Sequence, residues 1–179
     1  SDLVALMVLE HQVQMQNLLT LAQFEEITTT HYDRTLNKNL GRPVGSQSEL
    51  SQRRIKRVGE KLVRYLLFAD EFRLQAPVTG TSGFTEYFAQ QGPHDRQGRS
   101  LRDFDRQTRL FKYPLSYQVY SPAFDNLPSH VKRYVTERLQ LILSNQDKAS
   151  DFPILKPADR AAIREILQET KPALLKPVG

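Results

Sequence analysis

The residue with the clearest capacity for chemistry is His11, which lies in a long stretch whose apolar residues recur at helical spacing. On that helix it falls in the middle of the apolar face, with Met7 one turn before it and Met15 one turn after it. A buried imidazole is either hydrogen-bonded in the core, the interpretation we favour, or a ligand for a metal or a non-covalent haem. Neither methionine can be the opposite axial ligand, because a macrocycle does not fit between neighbours on one helix face. The second ligand would then be His130, near the start of another helix.

Lysine and arginine recur at helical spacing in two segments, and each segment is a candidate for binding anions. The first basic series contains Arg53, Arg54, Lys56, Arg57, Lys61 and Arg64. The second has arginines three and four residues apart, at Arg99, Arg102, Arg106 and Arg109. Such series bind phosphates or an acidic protein surface, although a solvated, salt-bridged face is their commoner origin. Nucleic acid is the less favoured partner, because the net charge is modest and aspartates interrupt the second series.

The residues and motifs that the sequence lacks exclude several classes of function. The absence of Cys excludes disulfide scaffolds, thiol catalysis, iron–sulfur clusters and covalent attachment of c-type haem. The chain has no glycine-rich phosphate loop, no nucleophile elbow, and no His-Glu-x-x-His or Glu-x-x-His motif. Its longest apolar run, residues 3–9, is far shorter than the ~20 residues of a membrane span. We expect no membrane span, and catalysis has no positive support.

Length and charge indicate how the chain is organised. The 179 residues carry 25 Lys and Arg against 20 Asp and Glu, and 39% of them are hydrophobic. These values are typical of one domain with its own core. Residues 1–33 include acidic residues but no Lys or Arg, so the rest of the chain is strongly basic. This asymmetry either attracts a charged partner or lets one helix neutralise its neighbours, and we favour the second interpretation.

Two long helices are predicted at the start of the chain. Residues 2–37 contain neither Pro nor Gly, and Asp2 is a suitable N-cap. The β-branched run at residues 28–30 weakens this helix, so a kink or an early end there is one expectation. Residues 48–70 form the second helix, in which Gly59 permits close approach of another helix. Residues 1–70 are therefore predicted to form a helical hairpin.

Residues 71–127 are predicted to be a loop-rich segment with short helices. One helix precedes residue 92, another begins at Ser100 and continues through Phe111, and Pro114 begins a third. The aromatic side chains of this segment are expected to form its core or, less often, to line a pocket: Phe104, Phe111, Tyr113, Tyr117, Tyr120 and Phe124.

Residues 128–172 are predicted to hold the C-terminal helices, which begin near Pro128 and Pro157. No alternating pattern of useful length indicates a strand. The chain is therefore predicted to be one all-α domain, residues 1–179. Its expected architecture is an irregular helical bundle, with two long N-terminal helices and four or five shorter helices joined by Pro-rich turns.

Several segments are specific enough to be compared with known families. They include residues 3–12 (LVALMVLEHQ), 98–105 (GRSLRDFD), 110–117 (LFKYPLSY), 123–128 (AFDNLP) and 159–163 (DRAAI). These segments resemble a family of uncharacterised exported proteins of bacteria. The resemblance implies the cysteine-free C-terminal helical region of a longer precursor, in the cell envelope or periplasm, and an association with c-type cytochrome systems. Members often carry His where this chain has Gln16, so a metal site built on two first-helix histidines is doubtful here.

Taken together, these observations favour a non-catalytic binding or assembly module of the cell envelope. The partner is expected to be a protein, with an acidic surface or a redox function. One alternative is an electron-transfer protein that holds a non-covalent haem or a metal through His11, with His130 as the second ligand. The other is a binder of anions or nucleic acid through the two arginine series.

Overall fold

The computed structural model describes residues 2–146, 152 and 155–176, and over these residues the chain consists of helices and loops. The α-helices are α1 (Leu3–Leu40), α2 (Glu49–Leu66), α3 (Phe84–Gln90), α4 (Pro122–Asp125), α5 (Ser129–Leu143) and α6 (Pro157–Thr170). Single turns of 3-10 helix occupy Tyr117–Tyr120 and Pro172–Leu175. The predicted all-α bundle with two long N-terminal helices is confirmed. No helix in this part of the chain is both long and apolar enough to cross a membrane.

α1 is a single helix of 38 residues. It begins at Asp2, whose Oδ1 accepts a hydrogen bond from the amide of Ala5 at 3.1 Å. It ends at Gly41, which has a left-handed φ of +63°. The early end expected near residue 28 is wrong. Thr29 is buried there, and its hydroxyl donates to the carbonyl of Glu25 at 2.9 Å, so packing outweighs the low helix propensity of threonine.

α2 lies antiparallel to α1 and packs against α5 as well. The antiparallel alignment follows from two contacts, because Arg54 near the start of α2 bonds Glu25 and Phe68 after its end stacks on His11. On the side of α5, Gly59 lies directly against the ring of Tyr134. A Cβ atom at Gly59 would collide with that ring, so the close approach expected of this glycine is present.

The carboxylate of Glu26 joins α1 to the start of α5. It accepts hydrogen bonds from the backbone amides of His130 at 3.0 Å and Val131 at 2.8 Å. It also lies 2.8 Å from Nδ1 of His130. These amides are among those that a helix leaves without a partner at its N-terminus, where a negative charge is favoured. With the ion pair between Glu25 and Arg54, the acidic α1 is thus neutralised in part by its own neighbours.

The predicted helix that begins at Ser100 is wrong. Residues 103–112 instead form a hairpin-like turn, in which Phe104 and Phe111 pair as an isolated antiparallel bridge. The carboxylate of Asp105 accepts hydrogen bonds from the amides of Thr108 and Arg109, and this local bonding competes with a helix. The helix predicted at Pro114 is also absent, and a 3-10 turn begins at Tyr117 instead.

The aromatic residues of the loop-rich segment lie in the core, as the sequence predicts. Phe111 stacks on Phe104 with ring centroids 5.3 Å apart, and Tyr117 meets Phe88 edge to face at 5.0 Å. Phe111 and Phe124 are almost completely buried. This cluster packs against the N-terminal half of α1 and gives a segment without long helices its own apolar centre.

Replacement of Glu26 by Ala is expected to lower the free energy of unfolding by about 2–3 kcal/mol, because two backbone amides at the start of α5 lose a charged acceptor. Glu26→Gln should cost less, since one side-chain oxygen remains. Urea denaturation followed by circular dichroism measures both. The exposed Glu10→Ala on the same helix is the control, with a change within about 0.5 kcal/mol. Equal losses for Glu26→Ala and Glu10→Ala would contradict the role of Glu26.

Candidate binding groove

A groove with a volume of about 950 Å³ runs between α1 and α2. One wall is a single face of α1, where Met7, Glu10, His11, Gln14 and Leu18 recur at helical spacing. The other wall is α2, and the residues that follow α2 add to it. The volume is at the upper end of the range for ligand pockets, roughly 300–1,000 Å³. The groove is therefore the concave surface to which a binding function is most readily assigned.

The floor of the groove is apolar and aromatic. Its members come from both long helices, from the segment after α2 and from the hairpin-like turn: Met7, Leu18, Tyr65, Phe68, Phe72 and Leu110. Phe72 is 75% exposed, so most of its ring is in contact with water. An apolar partner in the groove would remove this ring from water.

The α2 side of the groove is basic. Five cations line it, all on one face of the helix: Arg53, Lys56, Arg57, Lys61 and Arg64. Arg64 is bonded to Asp70, and Arg53 lies 3.8 Å from Glu49. Lys56, Arg57 and Lys61 are exposed and form no ion pair within the described residues. We call these three residues the basic row.

Most of the carboxylates along the groove are already bonded to groups of the protein. Glu60 accepts hydrogen bonds from Tyr134 at 2.9 Å and from Arg138 at 3.0 Å. Glu71 accepts one from the amide of Leu110, and its burial raises the pKa of its carboxyl group. Asp70 is bonded to Arg64. The basic row consequently keeps its positive charge for an external anion.

His11 is held in the core beside the groove. It is 6% exposed, and its Nε2 lies 2.7 Å from the hydroxyl oxygen of Ser116, which is buried and does not line the groove. The ring stacks on Phe68 at 4.8 Å and on Tyr65 at 5.2 Å. Burial lowers the pKa of His11 from 6.5 to about 4, so the imidazole is neutral at pH 7. This environment has the features of a hydrogen-bonded core histidine.

The structure does not bring His11 and His130 together. His130 lies against Glu26, which is 15 positions after His11 on α1, or roughly 22 Å along the helix. A haem held by both imidazoles needs them on opposite sides of one iron, so these two residues do not fit as its ligand pair. Within the described residues, no group of three or more His, Asp or Glu side chains could hold a metal ion.

The second arginine series does not form a stripe, because the segment that carries it is not helical. Arg99 pairs with Asp95 at 2.7 Å and with Glu165 at 2.8 Å, and Arg109 pairs with Asp159 at 2.8 Å. Arg102 lies over the ring of Phe88, 4.6 Å from its centroid, and also contacts Tyr117. Arg106 has a left-handed φ of +59° within the turn. Of the predicted partner-binding arginines, only Arg53, Arg57 and Arg64 line the groove.

Sequence reasoning missed the aromatic half of the groove. The sequence predicts residues 71–127 to be loop-rich, and it assigns neither Phe72 in that segment nor Tyr65 in α2 to a groove. The structure places both along the groove, together with Phe68. A signal for this arrangement was present, since three aromatic residues follow directly on a basic helix face. Their convergence on His11 depends on the antiparallel packing of α1 and α2.

The low pKa of His11 makes the stability of the protein depend on pH. The unfolded chain takes up a proton at this residue below about pH 6.5, whereas the folded protein resists protonation until about pH 4. The free energy of unfolding is therefore expected to fall by up to about 3 kcal/mol as the pH falls between these values. Denaturant titrations at several pH values measure this slope.

The contribution of His11 is isolated by comparing His11→Gln with His31→Gln, which replaces an exposed histidine on the same helix. We expect His11→Gln to be less stable at pH 7 and to lose most of the slope between pH 6.5 and about pH 4. His31→Gln should keep the slope. An unchanged slope in His11→Gln would show that another group carries the dependence.

No protein-family model matches this chain, and comparisons with curated proteins and with solved structures give no significant match. A function therefore has to be inferred from the geometry and charge of the groove itself.

Proposed function

We propose that this protein is a non-catalytic binding module whose groove takes an acidic amphipathic helix of a partner protein. The observation that carries the proposal is the basic row beside an apolar and aromatic floor, since these three exposed cations form no ion pair in the part of the chain that the structure describes. A ligand that satisfies both surfaces has an apolar face and an adjacent line of negative charges. An amphipathic helix with acidic flanks has this character and binds in grooves of this kind.

The length of the groove supports a helical occupant. From Met7 to Leu18, its α1 wall extends over roughly 16 Å, which is about three helical turns. A helix of that length presents apolar side chains one turn apart to the floor. Lys56 and Arg57 are adjacent and Lys61 follows about one turn later along α2, so these cations can meet carboxylates on two successive turns of the partner. A small amphiphile with a single anionic group would use only one of them.

The charge pattern favours a protein partner over nucleic acid. Nucleic-acid binding draws on many phosphate contacts over an extended basic surface. The second arginine series cannot extend the basic row, because Arg99 and Arg109 are bonded to carboxylates of this chain and Arg102 is packed on aromatic rings. The resemblance to exported bacterial proteins supports placing the complex in the cell envelope, with a redox protein as the partner.

Charge reversal of the basic row, Lys56→Glu with Arg57→Glu and Lys61→Glu, is expected to weaken binding of an acidic amphipathic helix by about tenfold or more. The probe is a fluorescein-labelled helical peptide of three turns, with leucines along one face and glutamates on its flanks. Fluorescence anisotropy measures the dissociation constant at several salt concentrations. Affinity for the wild-type protein should fall as salt rises.

The matched control reverses three exposed cations away from the groove, Arg34→Glu with Lys38→Glu and Arg42→Glu, and so changes the net charge equally. Its affinity should stay close to that of the wild type. A second peptide with lysines in place of the glutamates should not bind. Equal losses in both triple variants, or equal binding of both peptides, would overturn the proposal.

The apolar floor is probed by Phe72→Asp, with Val44→Asp as its control in a fully exposed loop position. Phe72→Asp should weaken binding of the acidic peptide, and Val44→Asp should not. Haemin titration tests the electron-carrier alternative with the same samples. A stoichiometric Soret band that His11→Ala abolishes would replace the proposed function with that alternative.

A further inference from the structure

The face of α1 that is turned away from the bundle is apolar along much of its length. Large side chains that are 51–65% exposed lie on it, at Leu6, Leu9, Val13, Phe24 and Ile27. At ~100° per residue, their centre is about half a turn from the centre of the buried face. A surface helix normally carries polar residues there, so exposed apolar side chains on this face mark an interaction surface. Gln16, Asn17 and Thr20 separate the two apolar groups. We call these five residues the outer stripe.

Four residues of the outer stripe are placed symmetrically about the midpoint between Gln16 and Asn17. Reversing the direction of the helix about that point exchanges Leu6 with Ile27 and Leu9 with Phe24, whereas Val13 exchanges with the polar Thr20. A helix with this symmetry can pack on an antiparallel copy of itself so that the two pairs of large apolar residues face each other. The contact then has a two-fold axis at the midpoint, where the amides of Gln16 and Asn17 face each other.

We infer that the outer stripe is a self-association surface, on which α1 of a second copy of this chain packs antiparallel. The helix dipoles support this arrangement, because antiparallel helices bring opposite ends of their dipoles together.

The area of the contact suits a reversible dimer. From Leu6 to Ile27, the outer stripe is roughly 32 Å long. Half the surface of a helix about 10–12 Å across gives roughly 550 Å² per copy over this length. The two copies together would bury roughly 1,100 Å², just above the ~1,000 Å² that a specific interface requires.

The chemistry around the outer stripe favours a second copy over a lipid surface. Helices that lie on membranes carry Lys and Arg on their polar face, which attract anionic headgroups. Residues 2–33, which include the whole stripe, contain acidic residues but no Lys or Arg. The stripe also shares no residue with the groove between α1 and α2. Self-association and groove binding can therefore be tested independently.

Sedimentation equilibrium over a wide range of protein concentration tests the association. The wild-type protein should pass from monomer to dimer, and Leu9→Glu with Phe24→Glu should remain a monomer. These substitutions lie at exposed positions, and circular dichroism checks that the fold is kept. Val44→Glu, at a fully exposed loop position outside the stripe, should associate like the wild type.

Single cysteines test the direction of the helices, because the chain has no native Cys. Gln16→Cys lies next to the proposed axis and should form a disulfide dimer under mild oxidation. Ile27→Cys alone should not, since the two copies of this residue would be roughly 31 Å apart along the helices. A mixture of Leu6→Cys and Ile27→Cys should form the mixed disulfide.

Three results would overturn the proposal. The first is that the wild-type protein stays monomeric at every concentration. This result includes the case in which the monomer binds neutral or anionic phospholipid vesicles through the stripe. The second is association that Leu9→Glu with Phe24→Glu leaves unchanged. The third is efficient self-cross-linking of Ile27→Cys, which would indicate parallel helices.

Discussion

α1 buries one face over almost its whole length, from Val4 to Asn37, and the rest of the structure is arranged to cover it. α2 packs along it, and α3, α4 and α5 add smaller contacts. Each fully buried large apolar side chain stabilises the fold by about 1.5–3 kcal/mol. A few such side chains outweigh the cost of the threonine run at residues 28–30, at most about 0.7 kcal/mol per residue. The helix therefore continues where local propensity alone would let it end.

The same burial explains the environments of the two histidines considered as ligands. An unsatisfied polar group in the core costs about 1–3 kcal/mol, so the partners of His11 and Glu26 on the buried face of α1 stabilise the fold. Asp33 on the same face is an exception, because its Oδ1 has no hydrogen-bond partner within the described residues. His11 has Ser116 and two stacked rings, and Glu26 has the start of α5 together with His130. These bonds join α1 to distant parts of the chain and commit both imidazoles to structural contacts.

The surfaces available for interaction follow from the composition of α1, which has more apolar residues than its partners can cover. On the side of α1 that faces α2, Met7 and Leu18 line the groove. On the far side, the outer stripe is left in water. The groove has a basic helix on one side, whereas the outer stripe is apolar and contains no Lys or Arg. They consequently suit different occupants, an acidic helix in one case and a second copy in the other.

The sequence by itself determined the helical class, the N-cap of α1 at Asp2, the use of Gly59 and the core position of His11, because these depend on local spacing and residue type. It also identified the basic face of α2. It failed for residues 100–111, where the sequence predicts a helix that the bonds of Asp105 and the pairing of Phe104 with Phe111 replace. Only the tertiary structure decided that His11 meets Ser116, that His130 lies far from it, and that aromatic residues meet the basic row in one groove. Each of these depends on contacts between residues far apart in the chain, and their relative positions are set by how whole helices pack.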